Sequence, residues 1–199
     1  MDLNANQKLA SETLNKNLQI IACAGSGKTQ VVSQRIINLL KNGEIPSSIV
    51  AFTFTEKAAA ELKHRILELI KANPIINDTG MAELYVGTIH SWCWHLLQDI
   101  VYGLQKMTIL DDIKLKLFVD RAYIKMGMKE LNMRQYVDTG LFISLIGVIR
   151  EAELKDECEF PDNIKLAKNK FEKYLLEHDY FDFTMIMTRF IDEMAALFC

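Results

Sequence analysis

The sequence predicts an α/β fold, a parallel sheet with an inserted all-helical subdomain, and three observations carry that prediction. Residues 18–23 are a short apolar run that passes through a loop of small residues into a helical pattern. Residues 49–54 are a second apolar run, β-branched and aromatic, and a long helical pattern again follows it. From residue 111 to residue 176 the patterns are helical only, with no further alternation of strand and helix. Strand, helix, strand, helix gives βαβ connectivity, which places ligands at the carboxyl ends of the strands.

Taken in order, residues 4–16 read as a helix with Asn4 as N-cap and Ala5, Leu9, Ala10 and Leu14 as its apolar stripe. Residues 18–23 read as a short buried strand. The helix after the loop runs over 28–41, with Val32, Ile36, Leu39 and Leu40 on one face, and Asn42-Gly43 supplies a left-handed end. Pro46-Ser47-Ser48 connects to the run 49–54, which has the composition of a strand buried on both faces of a parallel sheet. Thr55 caps a helix over 56–72 whose Ala59, Leu62, Ile66, Leu69 and Ile70 face one core, and Asn73-Pro74 closes it. A short strand over 84–86 and a helix opened by Gly87-Thr88 and running to residue 102 follow. In the helical region Ile164, Ala167, Phe171 and Tyr174 recur at spacings of three and four. The last segment carries Phe183, Met187, Phe190, Ile191, Met194 and Leu197 as an apolar stripe. A helix that apolar, with no polar tail after it, is expected to lead into further chain, so the sequence reads as cut from a longer one.

The loop between the first run and its helix is Ala22, Cys23, Ala24, Gly25, Ser26, Gly27, Lys28 and Thr29. It fits the Walker A pattern with alanine in place of the first glycine. Small residues let backbone N–H groups close round phosphate oxygens, and the following helix turns its positive end to the same anion. In such a loop Lys28 reaches the β- and γ-phosphates and Thr29 ligates Mg²⁺.

The bulk numbers remove other classes. With 199 residues, half of them hydrophobic, the chain can build a sizeable core. No stretch approaches a membrane span of about 20 apolar residues, and the first residues lack the basic-then-apolar order of a signal peptide, so a cytoplasmic location is expected. Four cysteines, at 23, 93, 158 and 199, have no CxxC spacing, which disfavours a zinc ribbon or a disulfide framework. The net charge of −3 argues against a nucleic-acid partner, but it is unevenly spread. Residues 1–75 carry 9 Lys and Arg against 6 Asp and Glu, whereas 76–199 carry 14 against 20, so the loop-bearing part is the basic one. His90, Cys93 and His95 do not align on one helical face and lack a fourth ligand, which speaks against a metal site.

Three further segments join the loop in order and spacing, and together they resemble the N-terminal part of the UvrD/Rep-like superfamily 1A DNA helicases over residues 3–99. Leu3-Asn4-Ala5-Asn6-Gln7 resembles the family's Q motif, which makes Gln7 the adenine contact. Residues 51–62 are similar to motif Ia, a strand-to-helix junction on single-stranded DNA. There Phe54 offers a ring for base stacking, Thr55 a hydroxyl for phosphate, and Lys57 a charge. Val86-Gly87-Thr88-Ile89-His90-Ser91 resembles motif Ib, by which Thr88, His90 and Ser91 approach the DNA backbone. Thr108-Ile109-Leu110-Asp111 and Tyr180-Phe181-Asp182-Phe183 are similar to the segments that lead into and out of the family's domain 1B.

The resemblance implies an ATP-dependent, 3′ to 5′ helicase acting on single-stranded DNA and on junctions of single and double strands, with ATP and Mg²⁺ as cofactors. It implies a RecA-like P-loop NTPase domain over 1–99 and 181–199, and a helical insert over 100–180. Two departures stand out. Gln30 follows Thr29 where several members place an arginine near the base, so Gln30 stays a nucleotide candidate and the adenine-stacking partner is unassigned. No Asp-Glu-x-Gln follows Asp182, so the chain alone is expected to be catalytically incompetent. A RecB- or AddA-like helicase-nuclease subunit, a P-loop phosphotransferase using the insert as a lid, and a nucleotide-independent interaction fragment remain open alternatives.

Overall fold

A computed structural model describes residues 3–76, 80–153 and 159–198. Cys158 and Cys199 lie outside the described residues. The chain divides into two units, residues 1–89 and 90–199.

In the first unit, helix α1 spans Ala5–Glu12 and opens on a reciprocal cap. The Asn4 side chain accepts from the Gln7 N–H, and Gln7 Oε1 accepts from the Asn4 N–H, each at 2.9 Å. The helix stops earlier than its pattern predicts, because Thr13 turns to ψ 90°, out of the helical region, after a last N–H bond to the Leu9 carbonyl at 3.0 Å. Its expected apolar stripe is not what packs, for Leu9 is 66% exposed. Polar bonds from α2, Lys28–Lys41, hold it instead. Arg35 donates to the carbonyls of Ala10 and Thr13, and Asn38 donates to the Ser11 carbonyl, so the free carbonyls at the end of α1 are satisfied by side chains.

Helix α2 buries Ile36 and Leu40 as predicted, with Val31 and Ile37 beside them, while Val32 is 38% exposed. Gly43, at φ +91°, ends it with an N–H bonded to the Leu40 carbonyl. Strand β1, Val50–Thr53, then pairs in parallel with β2, Tyr85–Thr88, across helix α3, Glu56–Lys71. Ala51 lies opposite Val86, and the unit is one βαβ crossover. Thr55 caps α3 as expected, its hydroxyl accepting from the Ala58 N–H at 3.1 Å. Ala59, Leu62 and Ile66 of α3 are buried, and all but Ala59 join Ile36, Ile37, Leu40, Ile49, Ala51 and Val86 in one core. Each aliphatic side chain of that size contributes roughly 1.5–3 kcal/mol on burial.

Two strand expectations fail here. Residues 18–23 form no strand and are exposed, with Ile21 at 90%. Among the described residues β1 pairs only with β2, and the carbonyls of Ala22 and Cys23 in this segment accept from Lys28 and Ser26 instead of a neighbouring strand. Strand β1 itself alternates, with Ala51 buried and Val50 and Phe52 outward, rather than being buried on both faces.

The second unit is helical, as the pattern predicts. Helix α4 spans Ile89–Ile100, α5 Asp112–Arg121, α6 Thr139–Glu153, α7 Asp162–Glu177 and α8 Phe183–Phe198. Its core gathers Leu97, Phe142, Ile146, Ile149, Ala167, Phe171, Leu175 and Ile186, with the Phe142 and Phe171 rings edge to face at 5.8 Å. The deepest residues of α8 are Met185 and Ile186; of the predicted stripe, Met187 and Phe190 pack against the core, while Phe183 and Ile191 are more than two-fifths exposed. Two short strands absent from the prediction, β3 at Thr108–Ile109 and β4 at Tyr180–Phe181, pair in parallel. Thr108 donates to Asp179 and Leu110 to Phe181, both at 2.8 Å, which draws together the two ends of the segment between them. Among the described residues no helix is long and apolar enough to cross a membrane.

Candidate nucleotide and nucleic-acid site

The loop Ala22 to Thr29 takes its shape from two glycines in the left-handed region, Gly25 at φ +75° and Gly27 at φ +82°. Ser26 closes the turn through its N–H and its hydroxyl, both bonded to the Cys23 carbonyl, at 3.3 and 2.7 Å. Gly27 is the N-cap of α2 and has no side chain with which to cap the first amides, so that end of the helix is left for an anion. Lys28 folds its ammonium over the loop, donating to the carbonyls of Ala22 at 3.0 Å and Cys23 at 2.6 Å. The Thr29 side chain is exposed on the first turn, a hard oxygen donor of the kind Mg²⁺ takes. Ala24 and Cys23 are exposed, and the Cys23 thiol is free.

Gln7 reaches this loop from α1. Its Nε2 donates to the Ser26 carbonyl at 3.0 Å, and a methyl group added at Gly27 would stand 2.9 Å from the same nitrogen. Gln7, Ser26, Lys28, Ile20, Ile21 and Val31 are among the walls of a cavity of about 240 Å³. Gln30 lines a different one, of about 300 Å³, with Leu3, Gln34, Arg65 and Leu69. The structure therefore brings Gln7 to the loop, and Gln30 keeps its Oε1 near the same glycine, 3.7 Å from where a Cβ on Gly27 would stand.

At the end of β1 the chain presents a second candidate surface. Phe54 is fully exposed, and Phe52, about half exposed, stands edge to face with Tyr85 at 6.3 Å. Thr55 is engaged at the N-terminus of α3 and Lys57 is exposed on its first turn, so ring, hydroxyl, helix end and cation lie within four consecutive residues. Thr88, the last residue of β2, is buried, and its hydroxyl donates to Glu56 Oε1 at 3.0 Å. That bond ties the strand end to the first turn of α3. In the second unit His90 is exposed, its ring 5.4 Å from that of Phe183, and Ser91 is half-buried. Cys93 is buried, which pushes its thiol pKa upward, while His95 is exposed. Among the described residues no three His, Cys, Asp or Glu side chains gather as metal ligands would.

One polar cluster escapes the sequence reading. Arg150 and Asp182, 32 residues apart, form a buried two-pronged pair with N–O distances of 3.0 and 2.6 Å, and Asp182 also accepts the Met185 N–H at 2.7 Å. Arg150 Nε has no hydrogen-bond partner among the described residues and lies 4.0 Å from Glu172. Burial raises the Glu172 pKa against the pull of Lys168 and Arg150. The available signal was a lone arginine after the apolar run Phe142-Ile143-Ser144-Leu145-Ile146 of α6.

The comparisons with known proteins agree with the motifs. A family model described as the UvrD/REP helicase N-terminal domain matches residues 3–196. A probable DNA helicase II homolog of Mycoplasma capricolum is 37% identical over 138 residues, covering 67% of this chain and 18% of that protein. The ATP-dependent DNA helicase PcrA of Staphylococcus epidermidis is 30% identical over 184 residues, covering 90% of this chain and 23% of its own. DNA helicase II of Rickettsia typhi is 30% identical over 201 residues, covering 91% and 28%. The chain thus spans less than a third of the length of each of these relatives. With a phosphate-type loop tied to an N-terminal glutamine, and a match running over nearly its whole length, the chain belongs to the UvrD/REP helicase N-terminal domain family.

Proposed function

We propose that this chain is the N-terminal ATP- and single-strand-binding part of a cytoplasmic, ATP-dependent DNA helicase that moves 3′ to 5′ along one strand and opens junctions. The observation that carries the reading is the loop: two left-handed glycines, an uncapped helix end and Lys28 held over the turn make a cradle for polyphosphate. The relatives' names, DNA helicase II and ATP-dependent DNA helicase PcrA, supply the reaction class.

In this reading residues 1–99 and 181–199 belong to a RecA-like P-loop domain and residues 100–180 are its helical insert. Lys28 binds the β- and γ-phosphates, and the exposed Thr29 hydroxyl is the oxygen of this chain that would hold Mg²⁺. Bound Mg²⁺ neutralises charge on the phosphates. Gln7 addresses the adenine once released from Ser26. Phe54 stacks on a base, Thr55 and Lys57 hold a phosphate, and Thr88, His90 and Ser91 approach the strand. The chain alone binds these ligands without turnover.

The test is unwinding by the complete protein that carries this region. Duplexes with a 3′ tail are opened in the presence of ATP, and Lys28→Ala abolishes opening. Preference for a 5′ tail, or unaltered opening by the Lys28→Ala protein, contradicts the reading.

A further inference from the structure

The last residue of α5 and the turn after it wall a cavity of about 240 Å³ with Arg121, Ala122, Tyr123, Ile124 and Lys125, completed by Gln135 and by Tyr174 of α7. Two cations and two aromatic rings line it, and no carboxylate does. Lys114, Arg134, Lys168 and Lys170 of this unit are each paired with an acid, but Arg121 and Lys125, both exposed, have no ion-pair partner among the described residues. The Lys125 ammonium lies 5.6 Å from the centre of the Tyr174 ring, whose orientation is fixed by stacking on Phe118 at 5.5 Å.

The opposite wall is built rather than loose. Buried Asp120 receives the Thr139 hydroxyl and the Tyr136 N–H, and the Asp120 carbonyl receives Gln135 Nε2 at 2.6 Å. Asn132 and Tyr136 are held at φ +55° and +63°, a conformation that non-glycine residues keep only where surroundings dictate it. These bonds fix Gln135 and leave its Oε1 as an acceptor.

We propose that this cavity is a second nucleic-acid subsite, taking one nucleotide unit of a DNA strand with its phosphate on Arg121 and Lys125 and its base beside Tyr123 and Tyr174. The inference rests on the nucleic-acid reading above. Cations without an acid partner supply phosphate affinity, the Tyr123 ring supplies a stacking surface indifferent to base identity beside a Tyr174 ring already packed on Phe118 and His178, and the Gln135 oxygen accepts from a base N–H.

The test is fluorescence anisotropy of a labelled single-stranded oligonucleotide against the full chain over a range of salt. Arg121→Ala with Lys125→Ala weakens binding roughly 10-fold near 0.1 M salt and lowers the log–log salt slope by about 1.4, the value for two phosphate contacts on a single strand. Replacing two exposed lysines outside the cavity, Lys41→Ala with Lys165→Ala, leaves the slope unchanged. An unchanged slope in the Arg121 and Lys125 variant, or an equal drop in the control pair, overturns the subsite. Displacement of the strand by free deoxynucleoside monophosphate at equal nucleotide concentration identifies a free-nucleotide site and overturns the assignment to a strand. Phe54→Ala with Lys57→Ala is the separate arm: if only that pair weakens binding the cavity assignment fails, and if only the cavity pair does, the β1 junction reading fails.

Discussion

Gln7 Nε2 donates to the carbonyl oxygen of Ser26 at 3.0 Å, so one side chain ties the first helix to the crown of the phosphate loop. The same residue caps α1 through Oε1, and its two ends can be separated by substitution. Gln7→Glu keeps an acceptor for the Asn4 N–H and loses the amide donor that leaves Ser26 for the adenine in the reading above. It is predicted to retain α1 and to weaken Mg-ATP binding about 3- to 10-fold, the worth of one net hydrogen bond at about 0.5–1.5 kcal/mol. Calorimetric titration reads this directly, and wild-type affinity in Gln7→Glu removes Gln7 from the nucleotide site.

Gly127 and Gly103 share a φ of +93° but differ in what surrounds them. A Cβ at Gly127 would meet the backbone of Ala167 at 2.7 Å, whereas nothing lies within 4 Å at Gly103. Gly103→Ala is predicted to cost only backbone strain, roughly 1–2 kcal/mol. Gly127→Ala adds overpacking against α7 and is predicted to cost about 1–3 kcal/mol more. Denaturant unfolding of the two variants, monitored on the helical signal, is the check; equal losses contradict this packing of the turn on α7.

Much of the first unit was legible because its signals are local. Asn4 and Thr55 cap the helices they were predicted to cap, and Gly43 ends α2, since each acts within one turn. The strand at 18–23 was not legible as absent, because an apolar run carries no information about whether a partner strand lies alongside. The pairing of Thr108 with Tyr180 was missed for the complementary reason: two-residue strands have no period, and what makes them is 72 residues of separation closed by packing. At the site, the tight turn at Gly25 and Gly27 is legible from spacing alone, since both glycines take positive φ, while the Thr88 bond to Glu56 and the Arg150 bond to Asp182 depend on contacts 32 residues apart in each case.

Removing Asp182 leaves Arg150 buried without its counter-ion. Asp182→Ala is predicted to destabilise the second unit by about 3–5 kcal/mol, and Arg150→Met with Asp182→Leu to recover most of that loss. Thermal unfolding of the three proteins decides it. A single variant as stable as the parent denies the pair its place in the core.

Glu172 sets a pH dependence in the same cluster. Burial holds its folded pKa above the usual glutamate value, with Lys168 and Arg150 opposing and Glu153 and Asp182 adding to the rise. The folded state therefore binds this proton more readily than the unfolded one, and stability from this group is present below the ordinary glutamate pKa and lost as pH rises through the folded one. Glu172→Gln removes that dependence. The melting temperature of the parent relative to Glu172→Gln is predicted to rise as the pH is lowered from 7 into the glutamate range; a gap that is constant with pH, or that moves the other way, contradicts the assignment.

Single-strand binding at the β1 to α3 junction is the property most directly open to measurement. Titration of a labelled oligothymidylate with the chain at low salt is predicted to give binding that weakens as salt is raised. Phe54→Ala is predicted to reduce the affinity by about 1–3 kcal/mol, the worth of one stacked base, without changing the salt slope, and Lys57→Ala to lower the slope by about 0.7. Absence of binding at low salt, or equal affinity in parent and Phe54→Ala, contradicts the claim that this exposed ring and helix end hold a DNA strand.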